Sequence, residues 1–84
     1  MMSYNPRYYD DFGNLRTQAL TKKELALLYF PDTSDPHVAV NHLMAWVKQA
    51  RGLYDDLLQA GYRPSQKMLT PRQVQLICHY LGDP

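Results

Sequence analysis

The stretch from Thr21 to Ala50, TKKELALLYFPDTSDPHVAVNHLMAWVKQA, decides the fold. It predicts two amphipathic helices joined by a short, turn-rich break. Thr21 can accept a hydrogen bond from an orphan backbone N–H of the first turn, and Glu24, three residues on, can reach back to the cap, which is the reciprocal logic of a capping box. Leu25, Leu28 and Tyr29 then fall on one face. The break PDTSDP carries two prolines among residues whose side chains mimic turns. Asp35 before Pro36 supplies an N-cap with proline at the first helical position, where its missing N–H costs nothing. Ala39, Val40, Leu43, Trp46, Val47 and Ala50 recur at helical spacing, so Trp46 is expected as a buried anchor against the first helix. The pair reads as a helix-turn-helix.

Working outward, Arg51 and Gly52 break the second helix, and Leu53 to Gln59 fits one or two helical turns with Asp55 and Asp56 in water. Gly61 can take the left-handed conformation that ends such a helix. The following YRPSQKML is a loop or a short β-hairpin. Thr70-Pro71-Arg72-Gln73 repeats the capping-box logic and opens a last helix with Val74, Ile77, Cys78 and Leu81 on its core face; Gly82 and Pro84 stop it. Upstream, MMSYNPRYYDDFGNLRTQAL shows no sustained periodicity. Residues 1–19 read as an arm, partly disordered or docked through Tyr4, Tyr8, Tyr9 and Phe12, and residues 20–84 as the helix-turn-helix-like domain. The expected class is mainly α: a small helical bundle with a helix-turn-helix core, and a loop or a hairpin "wing" before the last helix.

A chain of 84 residues makes one domain with a modest core. The formal net charge of +1 gives no global positive field, so attraction to phosphate has to come from local clustering. The single cysteine, Cys78, excludes an intramolecular disulfide framework and fits a reducing cytoplasm. No apolar run approaches the ~18 residues of a membrane span, and no basic-then-apolar leader opens the chain, so no membrane partner is expected.

The segments TKKELALLYFPDTS, LMAWVKQ, LLQAGYRPSQKMLTPRQVQLI and HYLGDP, between Leu20 and Pro84, resemble a family of short bacterial proteins known as domain of unknown function 4248, a resemblance that implies no activity. A looser likeness is to the excisionase and MerR-type winged helix-turn-helix domains. There a KKELA-like helix precedes a recognition helix, a basic wing and a TP-x-x-V-like helix. The likeness makes Gly61 to Leu69, with Arg63 and Lys67, the wing. Those families place arginines in the second helix where this chain has Asn41, His42, Leu43 and Met44.

With Leu43 at the centre of the buried face, a turn of roughly 100° per residue puts Asn41, Ala45 and Lys48 outward, with His42 and Gln49 on a flank. Such a face can enter a major groove, where amides read adenine and cations read guanine or phosphate. Arg63, Lys67 and Arg72 surround the loop before the last helix, where backbone N–H groups can help hold a phosphate. The candidate DNA-binding set is therefore Asn41, His42, Ala45, Lys48, Gln49, Arg63, Lys67 and Arg72. No metal or cofactor is expected: His37 and His42 are five apart and lack ligand-spaced partners. Cys78 lies on a core face, adjacent Asp55 and Asp56 point apart, and no glycine-rich phosphate loop occurs, so neither an enzyme nor a small-molecule substrate is indicated.

Two functions follow. The first is a DNA-binding regulator or accessory factor of the winged helix-turn-helix type, with double-stranded DNA as partner. The alternative is a small protein-interaction module or homodimer that uses the exposed apolar residues Leu27 of the first helix and Leu76 with Tyr80 of the last, together with the tyrosine-rich arm; an arm that itself occupies this stripe would instead make the stripe part of the fold. Clustering of Lys22, Lys23, Lys48, Arg63, Lys67 and Arg72 on one face favours the first, and their dispersal the second.

Overall fold

A computed structural model of the protein describes residues 8–84. Its elements are β1 (Leu20–Thr21), α1 (Lys22–Tyr29), α2 (Pro36–Gln49), α3 (Leu53–Gln59), β2 (Met68–Leu69) and α4 (Pro71–Leu81). The class is mainly α, with one small antiparallel sheet. Both capping boxes form. The Thr21 hydroxyl accepts from the Glu24 N–H at 3.0 Å while the Glu24 carboxylate accepts from the Thr21 N–H at 2.9 Å. Thr70 and Gln73 repeat the exchange at 3.2 and 3.1 Å. Asp35 caps α2 through the His37 N–H, with Pro36 in the first turn.

The strand before α4 does not close a local hairpin. β2 pairs instead with β1, far upstream, in the register Leu20↔Leu69 and Thr21↔Met68. The register sets two Leu-Thr pairs side by side: Leu20 and Leu69 are cross-strand partners, both buried, and each is followed by the threonine that caps a helix. α1 and α4 thus spring from neighbouring strands. Loop 61–67 is closed by Gly61 (φ 86°), past the end of α3, where the Gly61 N–H donates to Leu58 O and the Tyr62 N–H to Leu57 O. This is a Schellman motif, with its hydrophobic contact made by buried Leu57 and Tyr62.

The core runs through all four helices: Leu25 and Ala26 of α1, Ala39, Leu43 and Val47 of α2, Leu53 and Leu57 of α3, Val74 and Ile77 of α4. Trp46 is not part of it. It is 44% exposed, on the flank of α2, its ring 4.7 Å from that of Phe30 and edge-on to Tyr29 at 6.4 Å. The stripe at Ala39, Leu43 and Val47 fills the contact with α1 using small and medium side chains. Trp46, rotated roughly 60° from Leu43 by helix geometry, is left at the rim.

The arm also sits elsewhere than expected. Residues 8–16 fold back on themselves through a bridge between Tyr9 and Leu15, with the Asp10 carboxylate accepting from the Phe12 and Asn14 N–H groups. Tyr8 donates its hydroxyl to Glu24 of α1 at 2.8 Å, and Gln75 of α4 donates to Thr17 at 3.2 Å. The contact is with the Gln75–Cys78–His79 side of α4, not with Leu76 and Tyr80. Tyr80 faces the other way and donates to Asp56 of α3. Leu27 and Leu76 are half-buried against the core, while Tyr80, 38% exposed, lies beside Leu76 on a side of α4 that the described arm residues do not cover. Tyr4 lies outside the described residues.

Candidate nucleic-acid interface

Between the start of α1, the N-terminal half of α2 and loop 61–67 runs a cleft of about 470 Å³, lined by Thr21, Lys22, Lys23, His37, Val40, Pro64, Ser65, Gln66 and Lys67. The lysines come from two neighbouring segments, joined where the Lys22 N–H donates to Lys67 O. Lys22 and Lys23 are brought by the capping box that starts α1, and Lys67 by the residue that enters β2. Among the described lining residues there is no carboxylate. Glu24, next to the two lysines, is turned to the Thr21 N–H and the Tyr8 hydroxyl. Three lysines and a histidine thus line one cleft of a protein whose formal net charge is only +1.

The loop wall is built by amides. The Gln66 carbonyl accepts from the Arg63 N–H at 2.8 Å, and its NH2 donates to Met68 O and to the Gln73 side chain, both at 2.7 Å. Gln73 is 1% exposed, and besides capping α4 it donates to Ala60 O at 3.2 Å. One buried amide thus ties the end of α3, the loop and the start of α4. The capping pattern marks Gln73 in the sequence; its link to Gln66 has no sequence signal.

All eight residues of the sequence-derived set are exposed, but they divide among three surfaces. Lys67 lines the cleft, and Arg63 belongs to the loop that forms its wall. On α2, His37, Val40 and Met44 mark the flank toward that loop, through the cleft and the contact of Met44 with the Tyr62 hydroxyl. Asn41 and Lys48 lie next to this flank by helix geometry. His42 is on the opposite flank, its ring 5.4 Å from Phe30 and edge-on to it. Ala45 and Gln49 fall on that side, with Trp46. Arg72 is separate again, beside Asp56, Gln59, Ala60 and Leu76 at the α3–α4 junction. Lys22, Lys23 and His37 belong to the cleft although the sequence-derived set omits them; the Lys-Lys pair inside the first capping box was the available signal.

Burial pushes the Cys78 thiol above its ordinary range, with a hydrogen bond to Tyr29 acting in the opposite direction, so the group stays a neutral thiol. Tyr29 is raised further by burial and by Cys78, and its hydroxyl donates to Gly82 O at the end of α4. Among the described residues, no three His, Cys, Asp or Glu side chains form a group that could hold a metal ion. No helix among them is long and apolar enough to cross a membrane.

Residues 16–84 match the family model described as Domain of unknown function (DUF4248). The chain belongs to this family. The match begins at Arg16, inside the folded-back arm, and takes in every helix and both strands. The family's region therefore contains the whole lysine cleft and the Gln66–Gln73 junction. No curated protein and no solved structure matches the chain.

Proposed function

We propose that the protein binds double-stranded DNA, with the N-terminal half of α2 presented to the major groove and loop 61–67 lying on the backbone beside it. The observation that carries this reading is the cleft in which Lys22, Lys23 and Lys67 meet His37 with no carboxylate among the described lining residues. The arrangement accords with the order of elements in winged helix-turn-helix domains: a braced first helix, a second helix whose N-terminal residues face outward, then a basic loop against its flank. His37 and Asn41 are the base-edge candidates, and Lys23, Lys67 and Arg63 the phosphate contacts. Lys48 extends the same flank. His42, Ala45, Gln49 and Arg72 contribute less, because they lie on other surfaces.

With few cations, binding to random sequence should be weak and its salt dependence shallow, with a slope of about −2 to −3 by the rule of roughly 0.9 per neutralised phosphate. The test is titration of random-sequence duplexes at low salt, with folding verified by circular dichroism. Lys67→Ala should weaken binding to all sequences alike, while Asn41→Ala should shift preference between them. Absence of binding at high micromolar concentrations of folded protein refutes the proposal. It would favour a second reading, a protein-interaction face formed by Trp46, Phe30 and His42, which rests on the exposure of Trp46 at that rim.

A further inference from the structure

Loop 61–67 can present its cations to a duplex only if its shape is held, and one residue outside the loop holds it at several points. The Lys22 backbone N–H donates to Lys67 O at 2.8 Å, which fixes the loop's exit into β2. The Lys22 ammonium donates to Pro64 O at 2.8 Å, in the loop's middle. The same ammonium lies 4.9 Å from the centroid of the Tyr62 ring, at the loop's entry, and Tyr62 is buried. A cation already shared between a carbonyl oxygen and an aromatic face gives up those contacts if it turns to a phosphate. Lys23 and Lys67 also line the cleft and are exposed.

We infer that Lys22 is a positioning residue: it clamps loop 62–67 in its DNA-binding shape and makes no phosphate contact, whereas Lys23 and Lys67 make theirs. This rests on the DNA-binding reading for its functional part and on the clamp geometry for its structural part. The experiment compares the parent with Lys22→Met, Lys22→Arg and Lys67→Ala in two measurements. One is duplex affinity across a salt series, and the other is amide hydrogen exchange at Gln66, whose N–H donates to Arg63 O within the loop at 3.0 Å.

Lys22→Met should weaken binding about five- to tenfold, the scale of a lost charge-assisted contact plus a cation–π contact, with the salt slope unchanged. It should also speed Gln66 exchange. Lys22→Arg, which keeps a donor and a planar cation over Tyr62, should restore both. Lys67→Ala should instead lower the slope by about 0.9 and leave Gln66 exchange as in the parent. A drop in slope for Lys22→Met with unchanged Gln66 exchange overturns the inference and makes Lys22 a phosphate contact. If the parent binds no duplex, the functional reading fails, and the exchange data still decide the clamp: faster exchange in Lys22→Met, restored by Lys22→Arg, supports it, and unchanged exchange refutes it.

Discussion

Trp46 shows how a helical period can identify a face and still misplace a residue on it. Its spacing from Leu43 and Val47 is that of an apolar stripe, yet the stripe is wider than the contact with α1. The side chain at its edge keeps 44% of its surface in water while resting on Phe30. Trp46→Ala should therefore cost about 1–3 kcal/mol, from the part of its surface that is buried plus its ring pairs with Phe30 and Tyr29, whereas Leu43→Ala, at the fully buried centre, should cost about 2–5 kcal/mol. Paired urea denaturation curves would check the order. Gln73 is the converse case, a buried polar residue whose amide hydrogen-bonds to the Gln66 side chain, the Thr70 N–H and Ala60 O, each in a partly buried position. Gln73→Leu fills the same space but strands the Thr70 N–H and Ala60 O, so it should lower stability by about 2–3 kcal/mol despite its greater hydrophobicity; a stable, well-folded Leu variant would contradict this.

At the scale of elements, the helix starts are local decisions and were legible as such. A threonine followed three residues on by Glu or Gln can satisfy its own helix terminus with no help from the rest of the chain. The helix end at Gly61 is equally local. Its φ of 86° leaves open space where a Cβ would sit, so Gly61→Ala meets no clash but must adopt a left-handed backbone, and should cost about 1–2 kcal/mol. Thermal melts of that variant isolate backbone strain from packing. The strand pairing was not local: nothing near Met68–Leu69 specifies Leu20–Thr21, nearly fifty residues earlier, as its partner. The same holds for the candidate interface. Helix periodicity placed Asn41 and Lys48 outward, but which flank of α2 the loop approaches depends on how α3 turns the chain.

For the molecule as a whole, the titration of its phenols and thiol predicts how stability changes with pH. Cys78, Tyr9, Tyr29 and Tyr80 all titrate above their ordinary values of 9.0 for the thiol and 10.0 for the phenols. Burial is the leading cause for Cys78, Tyr9 and Tyr29, and the hydrogen bond to Asp56 for Tyr80. A folded-state value above the unfolded one means that the folded protein holds its proton more tightly. The corresponding stability is fully present at neutral pH and is lost as pH rises above about 9. Melting temperature should therefore hold steady near neutrality and fall progressively beyond pH 9. A Cys78→Ala variant should lose the earliest part of that decline; an identical profile in the variant would assign it to the tyrosines alone. Cys78, Tyr9 and Tyr29 gather where α1, α4 and the arm meet, while Tyr80 lies on the other side of α4 against α3, so alkaline loosening should begin at the first of these places and reach the lysine cleft later.

The sequence by itself determined the mainly α class, the capped starts of α1, α2 and α4, the glycine end of α3 and the apolar centres of α2 and α4. These follow from interactions within a few residues of chain or from the helical period. Tertiary structure alone decided the β1–β2 pairing, the exposure of Trp46, the seat of the arm between α1 and α4, and the gathering of Lys22, Lys23 and Lys67 into one cleft. Each of these depends on contacts between residues distant in the chain, chosen by how the four helices fill a shared core, and no local pattern of side chains encodes that choice.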